Sequence, residues 1–168
     1  MKTFKLIIII ALFFSNQLAA QTTVPSIIST DQIWDAAGSP YMINQNTLLQ
    51  SGVSVKLTEG AEIIGSKVSM TINGEFQVLG SATSLAKVSG ITLHFTDSCD
   101  GYNPANGSGA YMQFADVDAT NSLYGAIFLS QTDFKIEDSR LLSGSSTSLD
   151  LRSSESSLFI SRCEFSGN

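Results

Sequence analysis

The sequence predicts an all-β protein wound as a right-handed parallel β-helix. From residue 41 onward, apolar residues alternate with polar ones in short runs such as 53–57, 68–72 and 91–95, and glycine or asparagine closes nearly every run. Alternation with period two is typical of strands that bury one face, and such closing residues are typical of turns. A weak pattern also recurs every 22 to 24 residues in the second half. A repeat of this length indicates a solenoid, in which each turn of chain stacks on the one before it.

The repeat is clearest between residues 134–141 and 158–165, which share an apolar pattern at an offset of 24. An offset of 22 brings residues 112–119 onto the same frame. Each copy is predicted to hold a strand, a bend and a second strand, with small residues tolerated at the bend. The predicted inward positions are Met112, Phe114, Val117 and Ala119, then Phe134, Ile136, Ser139 and Leu141, then Leu158, Ile160, Cys163 and Phe165.

Residues 1–20 have the features of a cleavable signal peptide, with two lysines before an apolar run and a pair of alanines at the end. The run is well short of the ~20 residues that a membrane-spanning helix needs. We therefore predict a secreted or cell-surface protein with no transmembrane segment in the mature chain. Residues 21–40 are expected to form an N-terminal cap or lead-in, and 41–168 the β-helix coils. The best helical candidate is 30–37, where Asp31 would cap a short segment.

An antiparallel sandwich is the competing fold. Asn73 and Gly74 stand between two alternating runs, which is a strong hairpin signal. A sandwich, however, has no reason to repeat its pattern at constant spacing. The downstream repeat therefore favours the β-helix.

The stretch 34–95 contains GSPYMINQNTLLQSGVSVKLTEGAEI, INGEFQVLGS and ITLHFT. These motifs resemble the N-terminal part of bacterial right-handed parallel β-helix proteins, the pectin-lyase-like superfamily, and the resemblance continues through YGAIFL at 124–129 and the two late repeats. It implies the fold and is nearly silent on activity. Such proteins usually run through many more coils and end in a cap or an attachment module, whereas 163–168 stop in mid-pattern. We expect the 168 residues to be the front of a longer protein, or a dimer to cover the open edge.

The composition disfavours nucleic acid as a partner. The formal net charge is −6, from 9 Lys and Arg against 15 Asp and Glu, and removal of 1–20 would delete two of the lysines. Phosphate backbones need a clustered basic patch, which this sequence lacks. The two cysteines, Cys99 and Cys163, are too few and too far apart for a disulfide-stapled scaffold, and we predict that they are unpaired.

Related β-helices that cleave polysaccharides use clustered carboxylates, often with calcium, beside a Lys or Arg base. The nearest counterpart here is the loop 97–109, which carries Asp97, Asp100, Asn103 and Asn106. Calcium takes six to eight oxygen ligands, and these side chains would supply several. The spacing matches no calcium-loop pattern, so we interpret the segment first as a solvated loop and second as a calcium site. No other cofactor is predicted.

Asp116 and Asp118 alternate with apolar residues, so both should project outward from one strand. The 22-residue offset places Asp138 where Asp116 stands, two residues before Arg140. A solvated acidic face is the first interpretation, and a catalytic acid-and-base patch is the alternative. His94, the only histidine, is expected on the surface, where it completes no triad or multi-histidine metal site.

Three interpretations remain open. The first is a non-catalytic secreted or cell-surface scaffold that binds polysaccharide or cell-surface glycans in an adhesin-like way, suggested by the Ser-rich stretch 143–157. The second is the N-terminal part of a polysaccharide lyase or glycoside hydrolase. The third is a structural cap segment with no ligand of its own. Trp34 and Tyr41 have rings of the kind that stacks on sugars, but a plug at the end of the core is the preferred interpretation.

Overall fold

The structure is a computed structural model that describes residues 21–143, 149–151 and 156–167. The predicted signal peptide therefore lies outside the described residues, as do parts of the Ser-rich stretch. Within these ranges the secondary structure is entirely β, and no helix occurs that is long and apolar enough to cross a bilayer.

The chain forms a parallel β-solenoid, which confirms the predicted fold class. It makes about five complete turns between its third and sixteenth strands. The strands are β1 (Thr22–Thr23), β2 (Ile27–Ile28), β3 (Gln32–Trp34), β4 (Tyr41–Ile43), β5 (Thr47–Leu49), β6 (Ser54–Thr58), β7 (Glu62–Ile72), β8 (Glu75–Leu79), β9 (Ala86–Phe95), β10 (Tyr111–Gln113), β11 (Ala115–Asp118), β12 (Ile127–Leu129), β13 (Phe134–Glu137), β14 (Arg140–Leu142), β15 (Leu149–Leu151), β16 (Leu158–Ser161) and β17 (Glu164–Ser166).

The strands stack into three faces. The first face contains β1, β4, the starts of β7 and β9, then β11, β14 and β17. The second face contains β2, β5, the ends of β7 and β9, then β12 and β15. The third face contains β3, β6, β8, β10, β13 and β16. Every pairing between these strands is parallel, so a strand bonds to the turns before and after it and leaves one side for the core and one for solvent.

The sandwich alternative and the helical segment are both wrong. Asn73 and Gly74 form a corner that carries the chain from β7 on the second face to β8 on the third. A Cβ at Gly74 would overlap the carbonyl oxygen of Val53 one turn away, so this glycine permits close stacking of corners. The segment 30–37 contains β3, which pairs with β6, because stacking on the next turn outweighs a single capped helical turn. Residues 22–34 thus supply the outermost described turn.

The repeat length in the last turns is 24 on the first and third faces, so the 22-residue offset applied to 112–119 is wrong. On the second face the last pairing, Ile127 with Leu149, spans 22 residues. Met112 pairs with Ile136, and Ile136 with Ile160. In the first copy the four inward places are therefore occupied by Ala110, Met112, Ala115 and Val117, and Phe114 is not among them. Phe114 lies at the bend itself, with φ 48°, and is half-buried.

Inward side chains from the three faces form one core. A row of aromatic rings runs along it, with centroids 6.4 Å apart from Trp34 to Phe76, 6.3 Å from Phe76 to Phe95 and 5.0 Å from Phe95 to Phe134. Tyr41 stacks on Trp34 at 5.0 Å, and the two are only 5% and 3% exposed. Their interpretation as a core plug is confirmed, because rings this buried offer no face to a sugar.

Gly90 marks the corner at which β9 bends from the first face to the second. Its φ is +72°, and a Cβ there would overlap the backbone carbonyl of Gly65 in the preceding turn. Gly52, in an exposed turn, has a similar φ of +75°, but no atom lies within 4 Å of the position that a Cβ would take. Substitution of Gly52 therefore measures only the free-energy cost of a left-handed backbone for a residue with a Cβ. Substitution of Gly90 measures that cost together with the cost of a clash between two turns.

We expect Gly52→Ala to lower the free energy of unfolding by about 1–2 kcal/mol, the cost of a left-handed conformation for a residue with a Cβ. Gly90→Ala adds a clash worth a further ~1–3 kcal/mol. Urea unfolding of the two variants measures both values. Equal losses would show that the turns are not packed at this corner as described.

Candidate functional site

Asp116 and Asp118 both project outward from β11, as the alternation predicts, but each is already engaged. Asp116 accepts two hydrogen bonds from Arg140 in the next turn, Nε to Oδ1 at 3.0 Å and Nη2 to Oδ2 at 2.8 Å. Oδ1 of Asp118 accepts bonds from the backbone N–H and the hydroxyl of Thr120, at 2.9 and 2.7 Å. Their hydrogen-bonding capacity is thus directed to neighbouring turns and local backbone.

The 24-residue register explains the Asp116–Arg140 contact. Five outward residues on successive strands of the first face lie directly opposite one another, in the order Glu62, Lys87, Asp116, Arg140 and Glu164. We call this row the charge column. Its signs alternate, and opposite charges that face each other across neighbouring strands stabilise the pairing. The charge column therefore stabilises the stacking of turns along the first face.

Asp138 does not stack on Asp116, so the predicted acid-and-base patch has a different arrangement of residues. Phe114, Asp138 and Arg162 occupy the same bend of successive turns, each with a left-handed φ of 48–51°. The Arg162 guanidinium bonds both carboxylate oxygens of Asp138, and this contact lowers the pKa of Asp138. The structure does bring Asp138 and Arg140 together at the bend, beside Arg162 and Glu164.

These four residues line an open groove of about 550 Å³, here called the arginine groove. Each of its arginines is paired with a carboxylate of the turn before, Arg140 with Asp116 and Arg162 with Asp138. A base for proton abstraction needs a pKa near the operating pH, whereas the carboxylate contacts raise the pKa of both guanidinium groups further. The pairing therefore favours structural ion pairs over acid–base chemistry.

Glu137 is the centre of a second polar cluster, on the third face. It accepts a short hydrogen bond from the Tyr111 hydroxyl, and its carboxylate lies 3.0 Å from Lys135 Nζ and 3.5 Å from Arg162. The Tyr111 hydrogen bond, followed by the Lys135 contact, holds the pKa of Glu137 below its usual range against the opposing effect of burial. Lys135 Nζ also lies 4.9 Å from the Tyr111 ring centroid and 5.4 Å from that of Tyr102.

The calcium candidates are dispersed along the 97–109 loop. The side-chain oxygen of Asn103 accepts the Ala105 N–H, and that of Asn106 accepts the N–H and hydroxyl of Ser108. Asp97 accepts a bond from Ser98, while Asp100 and Asn103 line one groove together with Glu75. Among the described residues, no three His, Cys, Asp or Glu side chains are placed to hold a metal ion. The side-chain oxygens of this loop serve mainly to form its turns.

Cys99 and Cys163 are both free, as predicted. Cys99 donates to the Gly74 carbonyl at 3.1 Å, and burial raises the pKa of its thiol to about 12. Cys163 occupies the inward position just after the bend, as Ala115 and Ser139 do in the two turns before it, where a small side chain packs against the core. A thiol with a raised pKa is a poor nucleophile, so Cys99 has a packing role.

Sequence reasoning missed a groove on the second face. It encloses about 400 Å³ and is lined by Ser69, Thr92, His94, Tyr124, Phe128 and Ser130, which we call the aromatic groove. His94 does face outward, as predicted, and its Nε2 lies 3.2 Å from the Ser130 hydroxyl. The Phe128 ring lies edge-on to the imidazole, with centroids 6.2 Å apart. Tyr124 is 59% exposed at the side of the groove.

The loop that carries Tyr124 is fixed to β9 by hydrogen bonds. The Thr92 hydroxyl donates to the Gly125 carbonyl at 2.9 Å and accepts the Tyr124 N–H at 3.4 Å. The Ser122 hydroxyl accepts the Gly125 N–H at 3.0 Å. These bonds hold the Tyr124 backbone in place while its ring stays accessible. The aromatic groove could not be predicted from the sequence, because Tyr124 and His94 are 30 positions apart and belong to no common motif.

No protein-family model, curated protein or solved structure matches the chain. Its assignment as a parallel β-solenoid therefore rests on the strand pairing, and its site chemistry on the contacts described above.

Protonation of Glu137 should destabilise the fold, because a carboxyl whose pKa is lower in the folded state gives up its stabilisation as the pH falls. Melting temperatures measured from pH 7 down to pH 3 test this. Glu137→Gln should melt below the wild type at pH 7. The gap should shrink as the pH falls below about 5, where the carboxyl begins to protonate in the unfolded chain, and should close as the pH falls through its lower pKa in the folded state. Glu59→Gln, in the exposed turn after β6, is the control and should show no such narrowing. A gap for Glu137→Gln that stays constant with pH would contradict the assignment.

Proposed function

We propose that the protein is a non-catalytic β-solenoid scaffold, secreted or held at the cell surface, whose lateral faces bind glycans in an adhesin-like way. We further propose that it belongs to the pectin-lyase-like superfamily of bacterial β-helix proteins, on the motifs of 34–95. The features of 1–20 support export, and the net charge of −6 argues against a polyanionic partner such as nucleic acid.

One observation carries the proposal. Of the carboxylates predicted for an acid-and-base patch, Asp116 and Asp138 each accept two hydrogen bonds from a guanidinium of the next turn. A bidentate pair of this kind fixes the geometry of both partners and directs the carboxylate toward the neighbouring turn, away from a ligand on the face. These side chains therefore serve the stacking of turns.

A polysaccharide lyase or glycoside hydrolase, of which this chain would be the N-terminal part, is the second candidate. The observation in its favour is the arginine groove, where Asp138, Arg140, Arg162 and Glu164 meet. A lyase would use a deprotonated basic residue and a cation to acidify a sugar ring proton. The ion pairs make the required neutral arginine costly, so we rank the scaffold first.

A binding and cleavage assay on the purified protein separates the two candidates. Soluble neutral and acidic polysaccharides are offered with calcium and, separately, with a chelator, and absorbance reports unsaturated products while reducing ends report hydrolysis. We expect retention of a polysaccharide without products in either buffer, and no change in retention for Asp116→Asn. Products that depend on calcium and disappear in Asp138→Asn would replace the scaffold with the enzyme.

A further inference from the structure

We infer that the aromatic groove of the second face binds an uncharged sugar ring, which stacks on Tyr124 and contacts Phe128. This inference rests on the proposed glycan-binding function and gives it a site and a ligand class. The groove differs from the arginine groove in place and in chemistry, because the two lie on different faces and only one is lined by ions.

The lining suits a pyranose ring in particular. Such a ring has C–H groups on its faces and hydroxyls around its edge. Aromatic side chains give a flat apolar surface for the ring face, with the added attraction of their π systems. The Ser69 and Ser130 hydroxyls can each donate and accept, and the imidazole of His94 offers a nitrogen of either kind. The groove thus pairs apolar contact with polar groups that match sugar hydroxyls.

The described lining selects against acidic sugars. None of the six described residues that line the groove is Asp, Glu, Lys or Arg. A uronic acid carboxylate placed there would lose water without meeting a Lys or Arg among these residues, which is unfavourable. The lining therefore favours a neutral ligand.

The loop geometry reduces the cost of binding. Thr92 and Ser122 hold the loop backbone on either side of Tyr124, so a ligand would have little loop motion to freeze. Side chains and loops that are ordered before association leave more of the contact energy for affinity. Phe128 is likewise fixed by its place in β12.

Affinity electrophoresis tests the inference with named probes. Gels contain hydroxyethyl cellulose, arabinoxylan or galactomannan as neutral polysaccharides, and polygalacturonate or alginate as acidic ones. The variant is Tyr124→Ala, with Tyr124→Phe to keep the ring. Phe159→Ala is the matched control, because Phe159 is an exposed aromatic on the third face, 42% exposed against 59% for Tyr124. Equal melting temperatures confirm that the variants fold alike.

We expect retention by at least one neutral polysaccharide, weakened about tenfold by Tyr124→Ala and unchanged in Tyr124→Phe and Phe159→Ala. Retention that survives Tyr124→Ala would overturn the groove assignment while leaving a glycan-binding scaffold in place. Retention by acidic polysaccharides alone would overturn the ligand class. Failure to retain any of the five probes would overturn both this inference and the glycan-binding part of the proposed function.

Discussion

Parallel pairing between successive turns is the constraint on which the rest of the structure depends. The strand N–H and C=O groups of one turn cannot hydrogen-bond to each other, so they bond to the turns on either side. The register between turns then decides which side chains meet. It sets Met112 over Ile136 inside the core and Asp116 beside Arg140 outside it, and it aligns His94 with Phe128 on another face.

The same constraint divides the lateral surface by chemistry. On the first face and its bend, outward charges are used in pairs between turns, as in Asp116 with Arg140 and Asp138 with Arg162. On the second face, neutral side chains line a groove beside an exposed tyrosine. Ion pairs that stabilise stacking leave little charge free for a ligand, whereas the aromatic groove keeps the Tyr124 ring exposed. Scaffold and binding roles can therefore coexist on one small solenoid.

The strand pattern and the 24-residue offset between the last two copies could be predicted from the sequence, because inward positions must be apolar in every coil. It misled at Phe114, whose apolar side chain suits a core position but which lies at a bend; the inward residues on either side of this bend are Met112 and the small Ala115. The Asn73–Gly74 hairpin signal failed because local turn chemistry cannot tell a hairpin from a solenoid corner. The aromatic groove was invisible because loop and strand meet there through tertiary contacts with no sequence period.

A pair of double-mutant cycles tests the register most directly. Unfolding free energies are measured for Asp116→Asn, Arg140→Gln and the double variant, and in parallel for Asp116→Asn with Asp138→Asn. The described register predicts a coupling of about 0.5–1 kcal/mol in the first cycle, as for a well-aligned surface ion pair, and additive effects in the second. Additivity in the first cycle together with coupling in the second would mean that Asp116 stacks on Asp138, and would contradict the 24-residue register.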